Sequence, residues 1–334
     1  MSVTKVPENN LHYPVLLKEV LNVISPQNGG TFIDCTFGQG GYTKKILEFP
    51  KTRVIAIDRD YKSNQIAKKL KVKFKNRFEF YNKKFSEIDT IKTSERIQGI
   101  IFDLGFSYNQ IKDTSKGLSF NYKGKLNMKM GHNQFSAQEV IKNFSSKDLE
   151  KVFKFFGEER NSKMISRKVV KERKYKEILT EDLVDIVNSI KKNFSNKNKS
   201  TKVFQALRIL VNNEISELIY GLTKSSNLVS ENGVIVAVTF HSIEDRICKF
   251  FFNNISTNKK VSRYLPYEEL SELSFRAINR KPITPTLKEI ENNPPSRSAK
   301  LRSVRRIGTN IVDTKFVFEK FKQLLEIEKL SSKL

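Results

Sequence analysis

Short apolar runs alternate with amphipathic stretches over the first hundred residues of the chain. Residues 31–37 (TFIDCTF) have the composition of a buried strand, and the glycines after them open a helix from about 42 to 47. Residues 53–58 (RVIAID) predict a second strand, followed by an amphipathic stretch that reaches Leu70. Residues 77–81 predict a third strand and residues 100–104 (IIFDL) a fourth. This rhythm predicts an α/β fold around a parallel, doubly wound sheet. In such sheets ligands bind beyond the carboxyl ends of the strands, where the polar residues of these runs fall.

The rhythm breaks at about residue 109. From there to 202 the pattern is largely helical and strongly basic, and residues 195–200 (SNKNKS) read as a solvated loop near its end. One long helix is expected next, because Phe204, Leu207, Val211, Ile215, Leu218 and Leu222 share a face at helical spacing. Asn232-Gly233 then turns the chain into a strand over 234–240. The expected organisation is a sheet domain in two parts, 1–108 and 203–310, with a helical insertion over 109–202 that recognises the substrate. Residues 311–334 are expected as a terminal helix or tail.

Composition narrows the class. Hydrophobic residues make up 38% of the chain and charged residues 29%, values of a soluble globular protein. No apolar run reaches the roughly 18 residues that span a bilayer, and residues 1–10 lack the pattern of a secretory signal. A cytoplasmic location without membrane attachment is expected. The two cysteines, Cys35 and Cys248, form no paired metal-binding spacing and no disulfide framework. The three histidines, His12, His132 and His241, have no ligand spacing either, so no metal is expected. The net charge of +25 points to an anionic partner. A compositional bias toward Lys, Asn, Ile and Phe gives the same number, so charge alone leaves nucleic acid and a merely solvated surface open. Residues 294–306 (PPSRSAKLRSVRR), basic and poor in pattern, are expected as an arm that orders on RNA.

Two segments carry candidate chemistry. In Asp34-Cys35-Thr36-Phe37-Gly38-Gln39-Gly40-Gly41, at a strand end leading into a helix, glycines let backbone approach a ligand. Asp58 ends the next strand about twenty residues later, placed to accept hydrogen bonds from ribose hydroxyls. Thr43 stands where a dinucleotide fingerprint needs its third glycine, so a nicotinamide dehydrogenase is excluded. The fourth strand ends in Asp103-Leu104-Gly105-Phe106-Ser107, where an acid lines a reaction site or caps the next element. His241, Glu244 and Asp245 follow the last predicted strand on the same rim. These four are the catalytic candidates: Asp103, His241, Glu244 and Asp245. For His241 a structural hydrogen bond is the equal alternative. Glu244 and Asp245 also suit the first turn of a helix.

Taken in order, these segments resemble the MraW/RsmH family. The resemblance rests on HYPVLL at 12–17, FIDCTFGQGG at 32–41, AIDRD at 56–60 and FDLGFSYNQ at 102–110. It continues through KGLSF at 116–120, GEER at 157–160, FQALR at 204–208, FHSIEDR at 240–246 and SRSAKLR at 296–302. It implies a Rossmann-like class I methyltransferase sheet with an inserted helical domain. It also implies methyl transfer from S-adenosylmethionine to the exocyclic N(4) amine of a cytosine in 16S ribosomal RNA. The partner implied is the small ribosomal subunit, and a homodimer is compatible with the sequence. By the same resemblance the cofactor contacts fall on Gly40, Gly41, Tyr42, Asp58, Phe85, Asp103 and Gln110. Tyr42 stands where the family usually has His, so a backbone or stacking role is what carries over. Tyr108-Asn109 replaces a Ser-Pro pair, and Asn127 replaces an Asp in the LDMRM-like segment 126–130. A methyltransferase acting on DNA or protein shares the cofactor half, and a non-catalytic RNA-binding protein would make the glycines structural.

Overall fold

A computed structural model describes residues 14–106, 113, 116–119, 123–131, 133–191, 198–257 and 273–334. The chain divides into two compact units, residues 1–105 with 220–317 and residues 106–219 with 318–334.

The first unit is built on a seven-stranded sheet: β1 (Gly30–Asp34), β2 (Thr52–Ile57), β3 (Phe78–Tyr81), β4 (Ile97–Asp103), β5 (Val234–Thr239), β6 (Phe275–Ala277) and β7 (Lys300–Arg306). The spatial order is β3-β2-β1-β4-β5-β7-β6. Strands β3, β2, β1, β4 and β5 run parallel, while β7 is antiparallel to both β5 and β6. Every residue of β5 (VIVAVT) is buried, as expected of a strand covered on both faces. Helices α1 (Leu17–Ile24), α2 (Gly41–Leu47) and α3 (Ser63–Phe74) turn Val20, Ile46 and Leu70 into one core with Phe32, Val54 and Val236. The expected α/β fold with its Rossmann-like sheet is present.

In the second unit, α4 (Ala137–Asn143), α5 (Ser146–Phe155), α6 (Ser162–Glu172), α7 (Thr180–Ile190) and α8 (Thr201–Asn212) pack around Leu149, Phe153, Ile165, Val169 and Leu183. Their starts are written in the sequence. Ser136 accepts from the Glu139 N–H while Glu139 reaches back to the Ser136 N–H, and Ser145 caps α5 through the Asp148 N–H.

The structure corrects two expectations. The single helix over 204–222 is two, α8 and α9 (Glu214–Leu228), because Asn213 takes a left-handed φ of 51°. Apolar spacing runs on across this joint, so periodicity hides it; asparagine's tolerance of that conformation is the local signal. Residues 294–306 are not an arm. Residues Pro294–Ser298 form a 3-10 turn, and the rest is β7, hydrogen-bonded between β5 and β6. Leu301, Ser303, Val304 and Arg306 are buried, a pattern that the high charge of the segment masks. The chain also forms α10 (Ser242–Ser256), α11 (Leu287–Asn292), α12 (Lys315–Lys320) and α13 (Lys322–Glu328).

Candidate active site

The carboxyl ends of β1, β2 and β4 bring three aspartates to one edge of the sheet, with Asp34 in register with Ala56 of β2 and Ile101 of β4. Asp34, fully buried, accepts from Thr43 Oγ1 at 2.7 Å and from the Thr36 N–H at 3.2 Å. Burial outweighs those bonds and pushes its pKa up to about 6. Asp58, just past β2, accepts the Gly38 N–H at 2.6 Å and the Asp60 N–H at 2.7 Å. One carboxylate thereby ties the glycine segment to the turn after β2, and burial raises its pKa as well.

The glycine segment is shaped by close approach. Gly40 is left-handed (φ 72°), and a Cβ there would stand 2.9 Å from the Phe37 ring. At Gly41 a Cβ would stand 2.3 Å from Pro14 Cγ. Neither position admits a side chain without displacing its neighbour. Gly41 begins α2, whose first N–H groups lack intrahelical acceptors. Tyr42 directs its ring into the core, 3% exposed, with its hydroxyl donating to the Val15 carbonyl. This placement leaves only its backbone N–H for a ligand.

Asp103 ends β4. Its N–H donates to Thr36 Oγ1 at 2.7 Å, whereas its Oδ1 is sealed from solvent without a hydrogen-bond partner among the described residues. Burial, together with the nearby carboxylates of Asp34 and Glu244, raises its pKa well above the ordinary value. A sealed acceptor without a donor costs about 1–3 kcal/mol, so this position calls for a donor or a cation. Phe85, half-buried after β3, meets Phe102 edge-on with ring centroids 5.5 Å apart.

The remaining rim candidates are engaged around the start of α10, although His241 Nε2 is buried without a hydrogen-bond partner among the described residues. His241 caps α10: its Nδ1 faces the Glu244 N–H at 3.5 Å and its Nε2 lies 3.0 Å from Glu244 Oε1. Glu244 Oε2 accepts the N–H groups of Phe240 at 2.8 Å and His241 at 3.3 Å, so the pair forms a reciprocal cap. Asp245 accepts from Arg302 Nε at 2.7 Å and Lys300 Nζ at 3.0 Å. Burial by itself would raise Asp245, but those two cations outweigh it and hold the acid below its ordinary range. An acid so held is a poor proton acceptor. Gln110, His12 and His132 lie outside the described residues. Sequence reasoning missed Thr36 and Thr43, whose hydroxyls bind Asp103 and Asp34; a hydroxyl residue shortly after a strand-ending acid was the only signal.

The sequence pattern of the MraW methylase family matches residues 9–307. The chain belongs to that family. The ribosomal RNA small subunit methyltransferase H of Wolbachia sp. subsp. Drosophila simulans (strain wRi) is 40% identical over 306 residues, covering 89% of this chain and 99% of that protein. The protein of the same name from Ehrlichia canis (strain Jake) is 38% identical over 304 residues, covering 89% and 100%. That of Afipia carboxidovorans (strain ATCC 49405 / DSM 1227 / KCTC 32145 / OM5) is 38% identical over 312 residues, covering 91% and 94%.

As an MraW methylase the chain is an S-adenosylmethionine-dependent methyltransferase. The residues at the sheet edge fit that cofactor. The tight turn at Gly40 and Gly41 brings backbone to the strand ends, Asp58 offers carboxylate lone pairs to hydroxyls, and the unpartnered Oδ1 of Asp103 suits a donor or a positive centre. Among the described residues no helix is long and apolar enough to cross a membrane.

Proposed function

We propose that this methylase modifies the exocyclic N(4) amine of a cytosine in 16S ribosomal RNA, acting in the cytoplasm on the small ribosomal subunit. The names of its relatives support the substrate. The observation that carries the chemistry is the sealed, unpartnered Oδ1 of Asp103 at the end of β4.

S-adenosylmethionine, when bound, supplies an electrophilic methyl group on a sulfonium. The cytosine amine is a weak nucleophile because its lone pair is delocalised into the ring, so the protein's task is to orient it and receive a proton. Asp103 accepts a hydrogen bond from the amine through its unpartnered Oδ1 and takes the proton released as the new bond forms. Asp58 holds the ribose, and the glycine turn with the N–H groups of Gly41 and Tyr42 lines the cofactor cleft. Phe85 supplies an aromatic wall, and Gln110 is kept as a cofactor contact on family resemblance. His241 and Glu244 shape the start of α10, and Asp245 anchors that helix to β7. The helical insertion recognises the RNA, and the base leaves its stack before its amine reaches the cleft.

Mass mapping of ribosomal RNA after incubation with protein and labelled cofactor tests this reading. One methyl group on a cytosine of small-subunit RNA is expected, and Asp103→Asn should bind cofactor but transfer at least about a hundredfold more slowly. Label on DNA or protein, or wild-type transfer by the variant, overturns it.

A further inference from the structure

Five cations in and beside one helix of the second unit form no ion pair and no side-chain hydrogen bond among the described residues. Helix α6 buries Ser162, Ile165, Ser166 and Val169. Its opposite side carries Lys163, Arg167 and Lys171, spaced four residues apart and exposed. Arg160 in the turn before the helix and Lys174 in the turn after it are exposed too and extend the row at either end. At about 1.5 Å rise per residue this stripe is roughly 20 Å long. Other cations of the segment are used internally. Lys168 lies 3.7 Å from Glu172 and donates to Ser189 at 2.6 Å, Arg173 donates to the carbonyls of Ile141 and Phe144 at 2.6 Å each, and Lys176 pairs with Asp182. None of the five stripe residues forms an ion pair or a side-chain hydrogen bond among the described residues.

Like charges four residues apart on a helix repel, so the stripe weakens α6 unless an anion lies along it. Two large side chains stand open beside it, Met164 at 58% exposure and Tyr175 at 81%. Tyr175 directly follows Lys174, where it presents an uncovered aromatic ring at the stripe's end. A row of unpaired cations closed by an exposed aromatic is the combination that grips single-stranded nucleic acid: the cations follow the phosphates and the ring stacks on a base. A duplex, whose bases are already stacked, has no use for the ring.

We propose that Arg160, Lys163, Arg167, Lys171 and Lys174 form a track for the backbone of single-stranded RNA, with Tyr175 stacking on an unpaired base. The inference rests on the RNA substrate proposed above and says where on the helical unit that RNA runs.

The chain contains no tryptophan, so Tyr175→Trp places a single indole at the end of the track. Its emission should be quenched by a short single-stranded RNA carrying the acceptor cytosine, and much less by the same sequence as a duplex. The triple variant Arg167→Gln, Lys171→Gln, Lys174→Gln should flatten the logarithmic salt slope of RNA binding by about two, at up to about 0.7 for each phosphate no longer neutralised on a single strand. Cofactor titration of both variants should match the parent and verify their fold. A triple variant with the parent's slope, or an indole unquenched at saturating RNA, overturns the track. Equal quenching by duplex and single strand overturns the assignment to single strands. A parent that neither binds nor methylates RNA would instead refute the substrate reading.

Discussion

Asp58 serves two partners at once. Its Oδ2 holds the Gly38 N–H and its Oδ1 the Asp60 N–H, so the carboxylate proposed above to hold the cofactor ribose also fixes the glycine turn beside it. Losing hydrogen bonds to a charged acceptor costs about 1.5–3 kcal/mol, or roughly ten- to 150-fold in affinity. Asp58→Ala should therefore weaken S-adenosylmethionine binding by at least the lower of these factors in calorimetric titration. Unchanged affinity would remove Asp58 from the cofactor site. Both Asp58 and Asp103 were legible in the sequence because an acid at the end of an apolar run stands at a sheet's open edge. The cap formed by His241 and Glu244 was open in the sequence as an alternative to chemistry, whereas the engagement of Asp245 was not legible. The first two face each other within one turn, and Asp245 is held by residues more than fifty positions away, which no local pattern encodes.

Strand β7 shows the same limit at the level of elements. The parallel strands announced themselves as short apolar runs, and the structure moves their boundaries by only a few residues. β7 reads KLRSVRR, and its charges conceal a strand because the sheet consumes them. Lys300 and Arg302 hold Asp245, Arg305 donates to the Asn232 carbonyl at 2.8 Å, and Arg306 donates to the carbonyls of Val229 at 2.8 Å and Ser226 at 3.0 Å. Of the five cations expected on an RNA arm, only Arg297 lacks such an engagement among the described residues. Asp245 is thus a joint between α10 and β7. Asp245→Ala leaves the mostly buried Arg302 without its acid, which should cost about 2 kcal/mol of stability. Urea unfolding measures that loss, and methyl transfer by the folded variant should stay near the parent rate. Normal stability with transfer abolished would return Asp245 to the chemistry.

Across the whole molecule 61 basic residues face 36 acidic ones, yet several acids are buried with no cation partner among the described residues. Asp34 is one and Glu328 another. Glu328, 4% exposed in α13, accepts the N–H groups of Ile215 at 2.7 Å and Ser216 at 3.0 Å, so the last helix caps the start of α9. Burial overrides these bonds and pushes its pKa up to about 7 from 4.5. Between those values the folded chain holds a proton that the unfolded chain has released. The stability contributed by the protonated acid is complete below pH 4.5 and is lost as pH rises toward 7. Asp34, at about 6 against 3.8, acts in the same direction at lower pH. Glu328→Gln stays neutral at every pH and imitates the protonated acid. Its stability relative to the parent should therefore improve by roughly 2–3 kcal/mol between about pH 5 and pH 8, most of the ~3.4 kcal/mol that separates a pKa of 4.5 from one of about 7, the rest being lost already below pH 5. Urea unfolding of both proteins at the two pH values isolates this residue, since Asp34 and every other acid cancel in the difference. A constant gap between variant and parent would mean that Glu328 titrates alike in the folded and unfolded chains, and that its cap on α9 carries no proton linkage.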